Sequence, residues 1–153
     1  MKKTLAQNIV NIARELAIHF HDGQFRRDGV TPYIIHPQSV ANRVRGVVSG
    51  WNEAFRQLAE AVAWLHDVVE DTRCTELILR EIFWRDSRVV DSVMLLTKKP
   101  GTVYEDSIRS IIAATELPAA RIVKIQDILS NLADSPSPAQ INKYSRALLL
   151  LNN

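Results

Sequence analysis

The stretch Ala63-Trp64-Leu65-His66-Asp67-Val68-Val69-Glu70-Asp71-Thr72 decides how the rest of the chain is read. Apolar residues lead into it from Leu58, Ala61 and Val62, the pattern of a buried helix. That helix then presents His66, Asp67, Glu70 and Asp71 in close succession. On a 3.6-residue turn His66 stacks on Glu70 and Asp67 on Asp71. Carboxylates and an imidazole grouped on an otherwise apolar helix are unfavourable to bury without a compensating charge. A divalent cation supplies that charge. His66 and Asp67 then read as ligands, with Glu70 and Asp71 one turn further on and free to handle a water. This is the pattern of a metal-dependent hydrolase.

Outward from this stretch, apolar spacing predicts helices on both sides. Leu5, Ile9, Ile12, Ala13, Leu16 and Phe20 mark a helix over 5–20, stopped by His21-Asp22-Gly23 with Gly23 as a left-handed C-cap. A loop follows, with a turn at Asp28-Gly29 and stiffening at Pro32. Pro37 suits the first turn of a helix over about 37–48, so His36 stands at a helix entrance. Asn52 is a candidate N-cap for the central helix, and Thr75 for a helix over 76–85 that turns Leu77, Ile78, Ile82 and Phe83 inward. Val89, Val90, Val93 and Leu96 mark a helix over 87–96, broken at Thr97-Lys98-Lys99-Pro100-Gly101. Further helices are expected over 104–115, from Leu117-Pro118 to Leu132, and over 139–151, the last after the extended Asp134-Ser135-Pro136-Ser137-Pro138. Without internal repeats or low-complexity segments, residues 1–153 read as one compact all-α domain.

Composition narrows the class further. The chain has 153 residues, enough to bury a core, and is 46% hydrophobic and 24% charged. Its net charge of +2 comes from dispersed Lys and Arg, which is no nucleic-acid footprint. The single cysteine, Cys74, excludes an internal disulfide and fits a reducing compartment. The polar start Met1-Lys2-Lys3-Thr4 and the lack of a long apolar run predict a cytoplasmic protein with no membrane span.

A metal site draws ligands from several elements, and the chain offers His36, His66, Asp67 and one distant carboxylate. Asp127 is the best candidate for the last, beside the apolar stripe Ile122, Ile125, Leu129 and Leu132. A mixed His/Asp set favours Mn, Fe or Mg over a thiolate-bound structural zinc. Taken singly, each residue also fits an ordinary role: His36 as a loop hydrogen-bonder, Glu70 and Asp71 as solvated carboxylates, Asp127 as a surface residue. Lys98-Lys99 reads first as a solvated loop pair. Trp51, Trp64, Phe83 and Trp84 read as core or partner-surface residues, and His19 and His21 are not taken as ligands.

With His36, His66-Asp67 and Asp127 assembled, the sequence resembles the HD-domain metal-dependent phosphohydrolases. Within these it is similar to the hydrolase domain of the RelA/SpoT alarmone family, including its small stand-alone members. The matching motifs are Gly23-Gln24-Phe25-Arg26-Arg27, Pro32-Tyr33-Ile34-Ile35-His36-Pro37 and His66-Asp67-Val68-Val69-Glu70-Asp71-Thr72. Leu95-Leu96-Thr97-Lys98 and Val123-Lys124-Ile125-Gln126-Asp127, continuing to Asn131, match more weakly. The motifs run in family order from about residue 5 to 150.

The resemblance implies a helical bundle of about seven to eight helices. It further implies one Mn2+ held by His36, His66, Asp67 and Asp127, with Glu70 and Asp71 positioning and deprotonating the attacking water. Arg26 and Arg27 fall where the family contacts the nucleotide, Arg27 replacing a usual lysine. Asn131 and Tyr144 match further substrate contacts. The implied reaction removes the 3′-pyrophosphate of guanosine tetra- or pentaphosphate, leaving GDP or GTP. Gln126, Ile128 and Ser130 depart from the family pattern, and these departures are expected to touch the substrate pocket more than the metal shell. No synthetase domain fits in this length, so the expected activity is degradative. Two alternatives stand beside it: an HD phosphohydrolase for another phosphorylated nucleotide, and a domain that senses the alarmone without turning it over. The sequence leaves oligomeric state open.

Overall fold

The computed structural model describes residues 2–153, with side chains from Ile9 onward; Leu5, assigned above to the first helix's apolar stripe, has its side chain outside that range. The order is α1 (Lys2–Phe20), α2 (Ile35–Val47), α3 (Glu53–Leu65), α4 (Val68–Asp71), α5 (Glu76–Ile82), α6 (Ser87–Leu96), α7 (Tyr104–Ala113), α8 (Pro118–Leu132) and α9 (Pro138–Leu151). Among the described residues the only β pairing is an isolated bridge, Phe25 to Pro32. None of the described helices is long and apolar enough to cross a membrane.

Helix α3 is the axis of the bundle. It starts at Asn52, whose side chain accepts a hydrogen bond from the Phe55 amide, and it packs against α1, α2, α6 and α8. Ala59, Ala61 and Ala63 are fully buried and let neighbouring backbones approach, while Leu58, Val62, Trp64 and Leu65 fill the spaces between. A second, smaller core joins Ile108 and Ile111 of α7 to Ile128 of α8 and Ala147 and Leu151 of α9. Helix α8 belongs to both cores. Its buried residues, among them Ala120, Val123, Asp127, Ile128 and Ser130, therefore run around the helix. The expected stripe of Ile122, Ile125, Leu129 and Leu132 is only half-buried, and Asp127 lies deeper than all four.

The expected stops and caps are present: Gly23 has φ +76°, Gly101 φ +80°, and the Thr75 hydroxyl accepts from the Ile78 amide. Two expectations are corrected. In α5 the inward residues are Leu79 and Phe83 with Ile78, while Leu77 and Ile82 face solvent, because α5 is short and touches the bundle along one edge at α6. The central stretch is also not one continuous helix. It breaks at His66-Asp67, where Asp67 has φ −103° and ψ −5°, and the four-residue α4 follows α3 as a separate segment. The cause is local: the Ala63 carbonyl, which the Asp67 amide takes in an unbroken helix, accepts the His66 Nδ1 proton at 2.7 Å.

Leu65, fully buried, is the last residue before this break. Leu65→Ala is expected to lower unfolding stability by about 2–5 kcal/mol, measured by chemical denaturation.

Candidate metal centre and its cavity

The break in the central helix turns His66 and Asp67 toward two other elements. His36, in the first turn of α2, brings its Nε2 to 3.3 Å from His66 Nε2 and 3.5 Å from Asp67 Oδ2. Asp127, on α8, brings Oδ1 to 3.1 Å from His36 Nε2 and 3.6 Å from His66 Nε2. His66 Nε2 lies 3.1 Å from Asp67 Oδ2. Neighbouring donors around an ion bound at about 2.1 Å stand about 3.0–3.4 Å apart. His36, His66 and Asp67 thus have the spacing of a coordination shell, their ligand atoms all lying within 4.8 Å of one another, and Asp127 stands beside the two imidazoles. A His/Asp cluster able to hold a metal ion is present.

The surrounding bonds hold these donors in place. His66 Nδ1 donates to Ala63 O, which leaves the Nε2 lone pair directed at the cluster. Asp127 receives Lys124 Nζ at 2.9 Å and Asn131 Nδ2 at 2.9 Å. The Tyr33 hydroxyl lies 2.7 Å from Asp67 Oδ2 and 3.0 Å from Asp71 Oδ2, bridging the two carboxylates that sequence spacing stacked. Tyr33 is placed by the α1–α2 loop: its amide bonds Gln24 O, and Gln24 reaches the Asp71 carbonyl and His21 Nδ1. Glu70 Oε1 accepts the Lys98 amide at the end of α6, so the Thr97–Gly101 loop orients this carboxylate.

Electrostatics sharpen the arrangement. Burial and the Asp67 charge raise the Asp71 pKa; burial also raises that of Glu70, against the Lys98 amide. Burial opposes ionisation of Asp127, yet the Lys124 ammonium and His36 hold its carboxyl well below the usual range. Burial likewise opposes protonation of His66, but the Asp67 and Asp127 carboxylates prevail and hold its pKa well above 6.5. A cation and a proton therefore compete for His66 Nε2. Divalent-metal affinity is expected to rise about tenfold per pH unit up to the raised His66 pKa and then level off, read by metal titration at several pH values.

A cavity of about 250 Å³ opens on the cluster. Glu70, Asp71, Asn131 and Tyr144, named above as candidate water-handling and substrate-contacting residues, line it. So do Tyr104 and Lys143, which the sequence did not single out, and Lys124 and Lys98, which stood above only within weakly matching motifs, Lys98 also as part of a solvated loop pair. Lys143 Nζ sits 4.1 Å from the Tyr104 ring centre, and burial together with Lys124 and Lys98 lowers its pKa. Lys124 was legible in principle, three residues before Asp127 and so on the same helix face. Tyr104 and Lys143 carried no local signal.

The two arginines stand elsewhere than expected. Arg26 pairs with Asp134 at 2.6 Å and reaches the Asn131 side chain, and Arg27 donates to Gln140 on α9. Both are thereby tied to the α8–α9 connection, and neither forms the cavity wall. The departures around Asp127 also lie differently. Ile128 is in the second core, Gln126 is buried, and Ser130 lies 3.4 Å from His36 Nδ1, behind a metal-cluster residue and outside the cavity wall. The α8 packing on both faces is the reason. Cys74 is buried with its thiol pushed up to about 11, as an idle thiol would be.

No family model matches the chain. Over 118 residues, 73% of its length, it is 33% identical to the guanosine-3′,5′-bis(diphosphate) 3′-pyrophosphohydrolase of Haemophilus influenzae. Over 129 residues, 82% of its length, it is 36% identical to the probable GTP pyrophosphokinase of Mycobacterium leprae. The chain spans only 16% of the length of either relative. Among solved structures its fold is similar to a metazoan ortholog of SpoT, described as hydrolysing ppGpp and acting in starvation responses. The TM-score is 0.68 at 22% identity, covering 94% of this chain and 82% of that one. By sequence and by fold, the chain belongs to the RelA/SpoT family, as a relative of its helical HD-type domain.

Proposed function

We propose that the protein is a Mn2+-dependent phosphohydrolase that removes the 3′-pyrophosphate of guanosine tetra- or pentaphosphate, working in the cytoplasm as one HD-type domain over residues 1–153. The observation that carries this is the His36, His66, Asp67 and Asp127 cluster with Glu70 and Asp71 on the same cavity, in a chain related to a named 3′-pyrophosphohydrolase. His36, His66, Asp67 and Asp127 would hold the cation. A divalent cation at that position supplies positive charge that lowers the pKa of water and neutralises phosphoryl oxygens.

The chain's own residues do the rest. Glu70 or Asp71, each with a pKa raised by burial, takes the proton of the attacking water. Water oxygen joins the phosphorus attached to O3′, the O3′–P bond breaks, and its electron pair returns to O3′, which is protonated. GDP or GTP and pyrophosphate result. Lys98 and Lys143 offer their charge to the phosphoryl oxygens, and Tyr33 keeps Asp67 and Asp71 in fixed relation. Positioning and electrostatics supply the catalysis.

One observation favours a second reading, an HD phosphohydrolase for a different phosphorylated nucleotide: Arg26 and Arg27, expected on the nucleotide, are engaged by Asp134 and Gln140. The test is to incubate metal-stripped protein with guanosine 3′,5′-bispyrophosphate, with and without Mn2+, and follow GDP and pyrophosphate. Manganese-dependent release of both is expected. No release from metal-loaded protein, with turnover of another nucleotide in a panel, would replace the first reading by the second. Tight alarmone binding without any turnover would instead indicate a sensing domain.

A further inference from the structure

The two imidazoles of the cluster are oriented by different means. For both Nε2 atoms to face a cation as lone pairs, both Nδ1 atoms must carry the proton. His66 Nδ1 meets the Ala63 carbonyl at 2.7 Å, a group that can only accept, so its tautomer is set by the backbone. His36 Nδ1 meets the Ser130 hydroxyl at 3.4 Å, a group that can donate or accept. Ser130 Oγ also lies 3.1 Å from Ser39 Oγ, and with the Ser130 proton given to Ser39 its lone pairs face His36.

A second cavity, of about 220 Å³, is lined by His36, Ser39 and Ser130, with Arg26 and Ile35 also in its wall. The His36 ring itself is buried, and Ser130 supplies the hydroxyl that reaches its Nδ1.

We infer that Ser130, itself oriented by Ser39, is a positioning residue that selects the His36 tautomer and thereby sets the affinity of the metal site. The inference rests on the metal reading above and adds to it a dependence that His66 does not share. Removing the Ser130 hydroxyl leaves the buried His36 Nδ1 without its hydroxyl partner. Loss of such an outer partner typically weakens metal binding about 10–100-fold. Ser39→Ala frees the Ser130 proton to point at His36 and should cause a smaller loss of the same kind. Ser130→Thr keeps the acceptor, and the second cavity accommodates its methyl group.

The experiment is Mn2+ and Zn2+ titration of metal-stripped parental protein, Ser130→Ala, Ser39→Ala and Ser130→Thr, with circular dichroism to check folding. The nitrogen-15 spectrum of the Zn2+-loaded proteins is recorded alongside. Expected are a 10–100-fold rise in Kd for Ser130→Ala, a smaller one for Ser39→Ala, near-parental affinity for Ser130→Thr, and loss of the protected His36 Nδ1 proton signal with the His66 signal retained. Parental affinity and an unchanged His36 signal in Ser130→Ala would overturn this inference and leave the metal reading standing. Absence of metal binding by the parental chain would overturn both. If Ser130→Ala fails to fold, the Ser39→Ala affinity decides, parental affinity there counting against the inference.

Discussion

Asp67→Ala should abolish divalent-metal binding and, with it, all turnover. Asp67 Oδ2 lies within 3.1 Å of His66 Nε2 and 3.5 Å of His36 Nε2, and it also takes the Tyr33 hydroxyl. Its two carboxylate neighbours are engaged elsewhere, Asp71 by the Tyr33 hydroxyl and Glu70 by the Lys98 amide. The loss of affinity should exceed about 100-fold, the upper range reached by outer partners alone. The check is metal titration of the folded variant, paired with an assay of pyrophosphate release. Retention of metal at parental affinity would remove Asp67 from the ligand set.

Glu70→Ala should behave differently, keeping the metal and losing turnover by about 10²–10⁴-fold. Glu70 lines the cavity with its hydrogen bond going to the Lys98 amide, so its removal is expected to leave the ligand donors in place. Burial raises its pKa, the direction that makes its carboxylate a better acceptor of a proton from water. Glu70→Gln keeps the Lys98 amide's acceptor and should lose turnover nearly as completely, separating proton transfer from loop placement. Parental rates in both variants would move the water-handling role to Asp71, whose carboxylate is held by Tyr33.

The central stretch carried most of this in its own letters. The apolar approach through Leu58, Ala61 and Val62 announced a buried helix, and His66, Asp67, Glu70 and Asp71 announced a site on it. Helix ends were readable where a local rule governs them, as at Asn52, Thr75 and Gly23, because capping hydrogen bonds and left-handed backbone depend on near neighbours. The break at His66-Asp67 was not readable from periodicity, since it depends on one side chain competing for one carbonyl. The face of α5 was misjudged for a similar reason. A short helix packed along one edge exposes apolar residues, Leu77 and Ile82, that its sequence alone assigns to the core.

What the sequence by itself determined was the all-helical class and the grouping of His66, Asp67, Glu70 and Asp71 on the central stretch. These follow from residue types and from spacings of three or four along a helix, which are local quantities. What only the tertiary structure decided was everything that depends on elements far apart in the chain. Asp127 comes to His36 across 91 positions because α8 is packed between two cores. Lys143 and Tyr104 come to the cavity because α7 and α9 close over it, and Arg26 and Arg27 are drawn to Asp134 in the α8–α9 connection and Gln140 on α9. Ser130 sits behind His36 rather than on the substrate wall for the same reason. Which partner a long charged or hydroxyl side chain meets is settled by packing between helices, and no pattern within either helix records it.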